Sequence, residues 1–289
     1  MKLSYKYKLF FYLFLTFALF ITGVLVANNL TLYFTIALFI ITLLMFHLVI
    51  ESFGKSVKQF RDHEYRQEIT GNIAHELRTP VTSIRGYLET VLETQLDSEK
   101  ERYFISQAYT QTIVLSELIR DMGLITKIEE APSKFQLGSV CVNNLLGELK
   151  ADVQLILQEK RIEMAWDISE NLIIHGNQNL LYSIFRNLTD NAVRYAGNNT
   201  SIHIHLYNED KDFYYFSYFD TGGGISEERH LNRLFERFYR ISEGRTRETG
   251  GSGLGLSIVK NAVLFHKGII VAKNRANGGL EFLFTLKKI

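Results

Sequence analysis

The sequence predicts two membrane-spanning helices, an all-α hairpin and an α/β two-layer sandwich, in that order. Three observations predict it. Residues 9–27 and 30–50 contain no Asp, Glu, Lys or Arg, and each stretch is close to the roughly 20 residues that cross about 30 Å of hydrocarbon. From Thr70 onward, small and apolar residues recur at alternating spacings of four and three, the heptad seam of packed helices. Past Pro132 the pattern changes to strand and helix signals in alternation, interrupted by glycine-rich turns, as in a layered α/β domain.

Composition narrows the function. Among 289 residues, 32 Lys+Arg stand against 31 Asp+Glu, a formal charge of +1. No strongly basic field exists to hold a nucleic acid, so that partner class is disfavoured. Cys141 is the one cysteine, which rules out an intramolecular disulfide and a Cys-rich metal cluster. Two prolines rule out a Pro-rich disordered linker.

The expected spans make a helical hairpin over residues 1–50. Lys2, Lys6 and Lys8 precede the first, Lys55, Lys58 and Arg61 follow the second, and the link Asn28-Asn29 is uncharged, so the positive-inside rule puts both ends in the cytoplasm. A cleaved signal peptide fits less well, because the apolar region is long and Leu25-Val26-Ala27 lacks the small-x-small pattern. His47 lies three residues from the end of the second span, within reach of the interface. Residues 51–66 form a linker, and the sequence leaves no room for a domain between the spans.

Residues 67–131 read as a helical hairpin. One seam runs Thr70, Ala74, Leu77, Val81, Ile84, Leu88, Val91; a second runs Ile105, Ala108, Thr112, Leu115, Ile119, Met122 after a capping-box start at Ser98-x-x-Glu101. The short link at 94–97 makes the helices antiparallel neighbours. Two helices cannot bury both seams, so a four-helix bundle built by two copies of the chain is expected. His75 is one residue past Ala74, about 100° around the helix, and Thr79 lies one turn later on the same face. Pro80 removes an N–H and crowds the carbonyl of Glu76, which should loosen the backbone beside His75.

The segment Asn72-Ile-Ala-His75-Glu76-Leu-Arg-Thr79-Pro80 resembles the H-box of bacterial sensor histidine kinases. That resemblance implies that His75 accepts a phosphoryl group from ATP, that Glu76 is the general base, and that Thr79 helps position water for dephosphorylating a response regulator. The chemistry agrees: a neutral imidazole is a competent nucleophile near its pKa of about 6.5, and a neighbouring carboxylate can hold the tautomer and take the proton.

From 132 to 289 the elements alternate. Strands are predicted near 135–140, 161–168, 172–175, 202–207 and 213–219, and helices through Leu145 to Ile156, from Asn177 onward, and from the last glycine run to about His266. Asn187, Asn191 and Arg194 share a helix face, either solvated or holding a hydrated cation and phosphates. His203 and His205 read as exposed sheet-face residues rather than a metal pair. Asp220 ends a strand and is followed by Gly222 and Gly224, which let a ligand approach the backbone. A glycine-rich helix start at Gly251, Gly253 and Gly255 suits phosphate, although neither a P-loop nor a dinucleotide-binding spacing is present.

Taken together, Asn187-Leu-Thr-Asp190-Asn191-Ala-Val-Arg194-Tyr195, Asp220-x-Gly222-x-Gly224-Ile225, Phe235-Glu-Arg-Phe238-Tyr239-Arg240 and Gly251-x-Gly253-Leu254-Gly255-Leu256 resemble the N, G1, F and G2 boxes of the histidine-kinase ATP-binding domain. The resemblance implies the Bergerat-type ATP fold. It also implies ATP and Mg²⁺ as cofactors: Asn191 holding the metal with help from Asn187, Arg194 on phosphate, Tyr195 beside the base, Asp220 on the adenine amino group, and the last glycines on the phosphates. Residues 236–249, with Arg237, Arg240, Arg245 and Arg247, read as a lid. Arg194 stands where the family often has Lys, which keeps the charge and changes the reach.

The sequence-level expectation is therefore a homodimeric sensor histidine kinase in a bacterial cytoplasmic (inner) membrane, both termini cytoplasmic. It would autophosphorylate His75, pass the phosphoryl group to an aspartate of a separate response regulator, and dephosphorylate that regulator. Input would come through the spans, from membrane lipid or a partner membrane protein. Two alternatives remain at this level: a gyrase-like clamp ATPase for which His75 is dispensable, and a catalytically silent membrane adaptor.

Overall fold

A computed structural model describes residues 14–18, 20–22, 29–241 and 251–288, with the backbone only for 29–32, 35 and 53–69. It divides into two units, Met1–Gly71 and Asn72–Ile289. The first contains helical stretches at 14–18 and 20–22 and the beginning of a long helix, α1 (Asn29–Glu93). Within it Phe20 stacks on Phe39, with ring centroids 4.3 Å apart. Counted over the described residues alone, no helix is long and apolar enough to cross a membrane. The span expected at 9–27 lies largely outside those residues.

The second unit begins with the end of α1 and continues into α2 (Ser98–Glu130). Helix α1 runs on through Pro80. The start of α2 differs from expectation: the cap is Asp97, whose Oδ1 accepts from Lys100 N at 2.9 Å, and Ser98 is already helical. An Asp with extended backbone suits that position better than a hydroxyl one residue inside. Along both helices the expected seams are only partly covered. Ala108 is buried, while Val81, Leu88, Ile105 and Ile119 keep 42% or more of their surface.

After a short 3-10 turn (Pro132–Lys134) come β1 (Gly138–Cys141), α3 (Val142–Lys160), β2 (Glu163–Asp167), β3 (Ile173–Gly176), α4 (Gln178–Tyr195), β4 (Ser201–Glu209), β5 (Phe213–Asp220), a second 3-10 turn (Glu228–Arg233), α5 (Gly255–Phe265), β6 (Ile270–Asn274) and β7 (Leu280–Lys287). The first strand is shorter than predicted and starts three residues later. Phe135, at its expected beginning, instead closes the 3-10 turn by donating its N–H to Pro132 O at 3.2 Å.

The five-stranded sheet has the order β2-β4-β5-β7-β6, with β2 parallel to β4 and every other pair antiparallel; β1 and β3 form a separate antiparallel pair. The parallel step needs a crossover, and β3 with α4 supplies it. Strict alternation puts Ile202, Ile204, Phe216, Tyr218, Phe282, Phe284 and Leu286 on one sheet face, where they join Leu180, Ile184, Phe185 and Leu188 of α4 and Val259, Ala262 and Val263 of α5 in one core. Phe216 stacks on Phe284 at 5.2 Å, and Phe185 meets both rings edge-on. Helices cover that face only, so the domain is a two-layer sandwich over a mixed sheet. His203, His205 and Phe219 stack on the other face.

Candidate functional site

The site starts with α4. Asn177 caps it by accepting from Leu180 N at 3.1 Å, and its own N–H donates to His266 Nε2 at 3.1 Å. His266 Nδ1 in turn lies 2.7 Å from Ala262 O, so the ring is a neutral imidazole with its proton on Nδ1. Burial holds its pKa below the ordinary histidine value. This bridge ties the start of α4 to the end of α5.

With one stripe of α4 buried, Asn187 and Asn191 turn their half-buried side chains away from the core, one turn apart. Asn187 Nδ2 donates to Ser183 O and Oγ at 2.8 and 3.1 Å. Its donor end is thus used, and its Oδ1 faces the start of α5, where a Cβ on Gly255 would lie 2.8 Å away. Arg194, two turns further along α4, does the same at the loop before α5: a Cβ on Gly251 would lie 2.5 Å from Arg194 Nη1 and 3.6 Å from the Tyr195 hydroxyl. A neutral amide oxygen, that of Asn187, and the Arg194 guanidinium therefore converge on the last glycine run. Helix α5 has no side-chain cap at Leu254, so its first N–H groups stay available to an anion.

Asp220 closes β5 and is 5% exposed. Its Oδ1 accepts from Gly222 N at 2.8 Å and from Leu280 N at 3.4 Å. Burial pushes its pKa above the usual carboxylate value, against the lowering effect of those two N–H donors and of Arg275. The following loop packs closely, since a Cβ on Gly222 would lie 2.5 Å from Ala196 Cα. Gly224 has φ +69 and leads into Ile225, whose N–H and C=O are both taken by the Asn274 amide at 2.9 and 2.7 Å. Asn274 was not among the expected site residues, and it holds the glycine loop in place.

Phe238 and Gly253 join two of the expected motifs directly. Phe238 N donates to Gly253 O at 3.0 Å, and the two residues have φ of +62 and +67. Leu254, 1% exposed, joins Leu118, Ile125 and Ile258 in an apolar cluster, against which Leu77, Met122, Leu124 and Phe238 also pack. Glu129 of α2 adds an ion pair with Arg237. Leu256 is packed on the main core. Arg240 is half-buried; Arg245 and Arg247 lie outside the described residues.

On α1, His75 and Thr79 are exposed and Glu76 is half-buried. Thr79 Oγ1 donates to His75 O at 3.3 Å. Leu77, two residues from His75, belongs to the cluster around Leu254 and Phe238, so the helix carrying His75 packs beside the glycine run and the left-handed bend.

Comparison with known proteins agrees with this arrangement. Residues 65–131 match the His Kinase A (phospho-acceptor) domain, and residues 176–289 match the histidine kinase-, DNA gyrase B- and HSP90-like ATPases. The phosphate regulon sensor protein PhoR of Pseudomonas aeruginosa is 32% identical over 233 residues, covering 78% of this chain and 52% of that protein. Full-length ShkA in complex with AMPPNP aligns with a TM-score of 0.55 at 26% identity, over 75% of this chain and 44% of that one. The histidine kinase ThkA in complex with the response regulator protein TrrA has the same fold, with a TM-score of 0.61 at 24% identity over 77% of this chain and 61% of that one. The chain spans about half the length of the Pseudomonas relative. The chain thus carries a His Kinase A phospho-acceptor domain followed by a histidine kinase-, DNA gyrase B- and HSP90-like ATPase domain.

Proposed function

We propose that this chain is a sensor histidine kinase of a two-component system: it binds ATP with Mg²⁺, phosphorylates His75, and passes the phosphoryl group to an aspartate of a separate response regulator. The observation that carries the reading is the shared cluster of Leu77 with Leu254 and Phe238. It brings the His75 helix against the glycine-rich start of α5, where free N–H groups and Arg194 suit phosphates.

Asp220, desolvated and held by two backbone donors, reads the adenine amino group; Tyr195, half-exposed beside Gly251, flanks the base. The phosphates lie along Gly251, Gly253, Leu254, Gly255 and Leu256, with Arg194 and Arg240 as cations. Asn187 and Asn191 offer oxygens of the kind a hard cation takes, and the Asn187 oxygen is the free end of its amide. Bound Mg²⁺ would neutralise phosphate charge during transfer. Glu76 takes the proton from His75 as the imidazole attacks, and the rest of the catalysis is positioning. Thr79 orients water for dephosphorylation of the regulator once its hydroxyl leaves the His75 carbonyl.

The protein acts as a homodimer. The half-exposed seam residues Val81, Leu88, Ile105 and Ile119 fit burial in a four-helix bundle with a second copy. Residues 9–27 and 30–50 cross a bacterial inner membrane, with lipid or a partner membrane protein as the input. Their support is the absence of charge and the uncovered apolar side chains of Tyr33, Phe34 and Leu38, each 64% exposed or more. Carbonate extraction of cell membranes tests the anchor, and release into the supernatant would contradict it. The kinase reading is tested by giving purified protein labelled ATP and Mg²⁺. Acid-labile, base-stable label that moves to a response regulator is expected, and ATP hydrolysis without label would favour a clamp ATPase.

A further inference from the structure

The left-handed region disfavours a residue with a Cβ, which persists there only where its surroundings hold it. Phe238, at φ +62, is such a residue, and it is anchored on both sides. Before it, Arg237 is ion-paired with Glu129 of α2. After it, the Tyr239 hydroxyl meets His230 Nδ1, while the Arg233 guanidinium lies 4.2 Å over the Tyr239 ring. Arg233 is itself held by Glu236, at 2.9 and 3.0 Å.

The proton positions on this chain follow from charge. Glu227 Oε2, which also pairs with Arg229 Nε at 2.6 Å, lies 3.8 Å from His230 Nε2, and its negative charge on that side favours the proton on Nε2. That leaves Nδ1 to accept from the Tyr239 O–H. The His230 side chain is 14% exposed, so water competes weakly for the bond. Of the 3-10 turn Glu228–Arg233, Leu231 packs on the main core, while the polar side chains of His230 and Arg233 meet Tyr239.

The geometry points to His230 as a positioning residue for phosphoryl transfer. Through Tyr239 it fixes the left-handed bend at Phe238, and with it the placement of Arg240 and of the Gly253 carbonyl that Phe238 holds. The assignment rests on the kinase reading above. It says that the carboxylate, imidazole and phenol of Glu227, His230 and Tyr239 act as one unit on the geometry of the transition state, while ground-state nucleotide binding is made chiefly by Asp220, α4 and the glycine run itself.

The test compares the full chain in detergent with His230→Ala, Tyr239→Phe, the double variant and His230→Asn, whose amide oxygen can replace Nδ1 as acceptor. Initial rates of His75 labelling are followed across ATP concentrations, together with AMPPNP affinity and thermal midpoint. Each single variant is expected to lower the maximal rate on the order of tenfold, the scale of a small misplacement, with AMPPNP affinity and midpoint close to wild type. The double variant should be no slower than the slower single, and His230→Asn should recover most of the rate. Additive losses, loss confined to AMPPNP affinity or midpoint, or unaltered rates would overturn it. If wild type hydrolyses ATP without labelling His75, the kinase reading fails and the same comparison is made on hydrolysis, where unaltered variants overturn the assignment separately. Absence of both activities in wild type overturns both.

Discussion

Phe238 donates its backbone N–H to the carbonyl of Gly253 at 3.0 Å, and both residues have left-handed backbones. This contact joins the aromatic motif that precedes the lid to the glycine run at the start of α5. Its tightness gives the first prediction. A Cβ at Gly253 would sit 2.8 Å from Phe238 Cα, in a backbone conformation that costs a non-glycine residue about 1–2 kcal/mol before any clash. Gly253→Ala should therefore lower the thermal midpoint and weaken AMPPNP binding at least tenfold, as read by titration. A variant that binds like wild type would mean that the contact is loose.

Asp220 gives a prediction with opposite signs for stability and function. Burial raises its pKa in the folded state, so the folded protein holds that proton more tightly than the unfolded chain. Its contribution to stability is fully present below the unfolded value of about 3.9 and is lost as pH rises through the folded value. Asp220→Asn should thus gain in midpoint relative to wild type on going from pH 4 to pH 7. At pH 7 the same variant should lose nucleotide affinity by roughly 5- to 150-fold, the effect of about 1–3 kcal/mol at a buried partner. Affinity equal to wild type would remove Asp220 from the adenine site.

His266 works the other way. Its folded pKa is depressed by burial, so its contribution is present above the unfolded value of about 6.5 and is lost as pH falls through the folded value. Denaturant midpoints measured from pH 8 to 5 should fall more steeply for wild type than for His266→Gln. His266→Leu, which offers no acceptor to the Asn177 N–H, should be weaker at pH 8 by about 1–3 kcal/mol. Parallel pH profiles would contradict this role.

Asn274→Ala should free the Ile225 N–H and C=O together. The loop from Gly222 to Ile225 is then no longer held, and AMPPNP affinity should drop by roughly tenfold, while Asn274→Asp, which keeps one acceptor for the Ile225 N–H, should retain part of it. Isothermal titration separates the two, and equal affinity in all three proteins would show that the loop orders without the amide.

Much of this was legible in the sequence because the decisive patterns are local. The buried stripe of α4 and the polar set Asn187, Asn191 and Arg194 follow from helical spacing alone, and His75 could be placed off the seam for the same reason. Contacts set by strand register were not legible. Asn274 lies 49 residues from Ile225, and only the pairing of β5, β7 and β6 brings them together. No strand after His266 is among those expected, although Leu280, Phe282, Phe284 and Leu286 alternate as a half-buried strand should. Asp97 took the cap expected at Ser98, an error of the one-residue kind that helix ends invite. His230 and Tyr239 are close in sequence, yet their meeting depends on the left-handed turn at Phe238, which residue type alone does not announce.

The most direct test of the central claim compares wild type with His75→Gln, full-length in detergent, for acid-labile and base-stable label from labelled ATP and Mg²⁺. The account predicts label on wild type and none on the variant, with AMPPNP affinity the same in both, because His75 lies outside the nucleotide pocket. Equal labelling of the two proteins, or ATP turnover that proceeds without label in either, would contradict it.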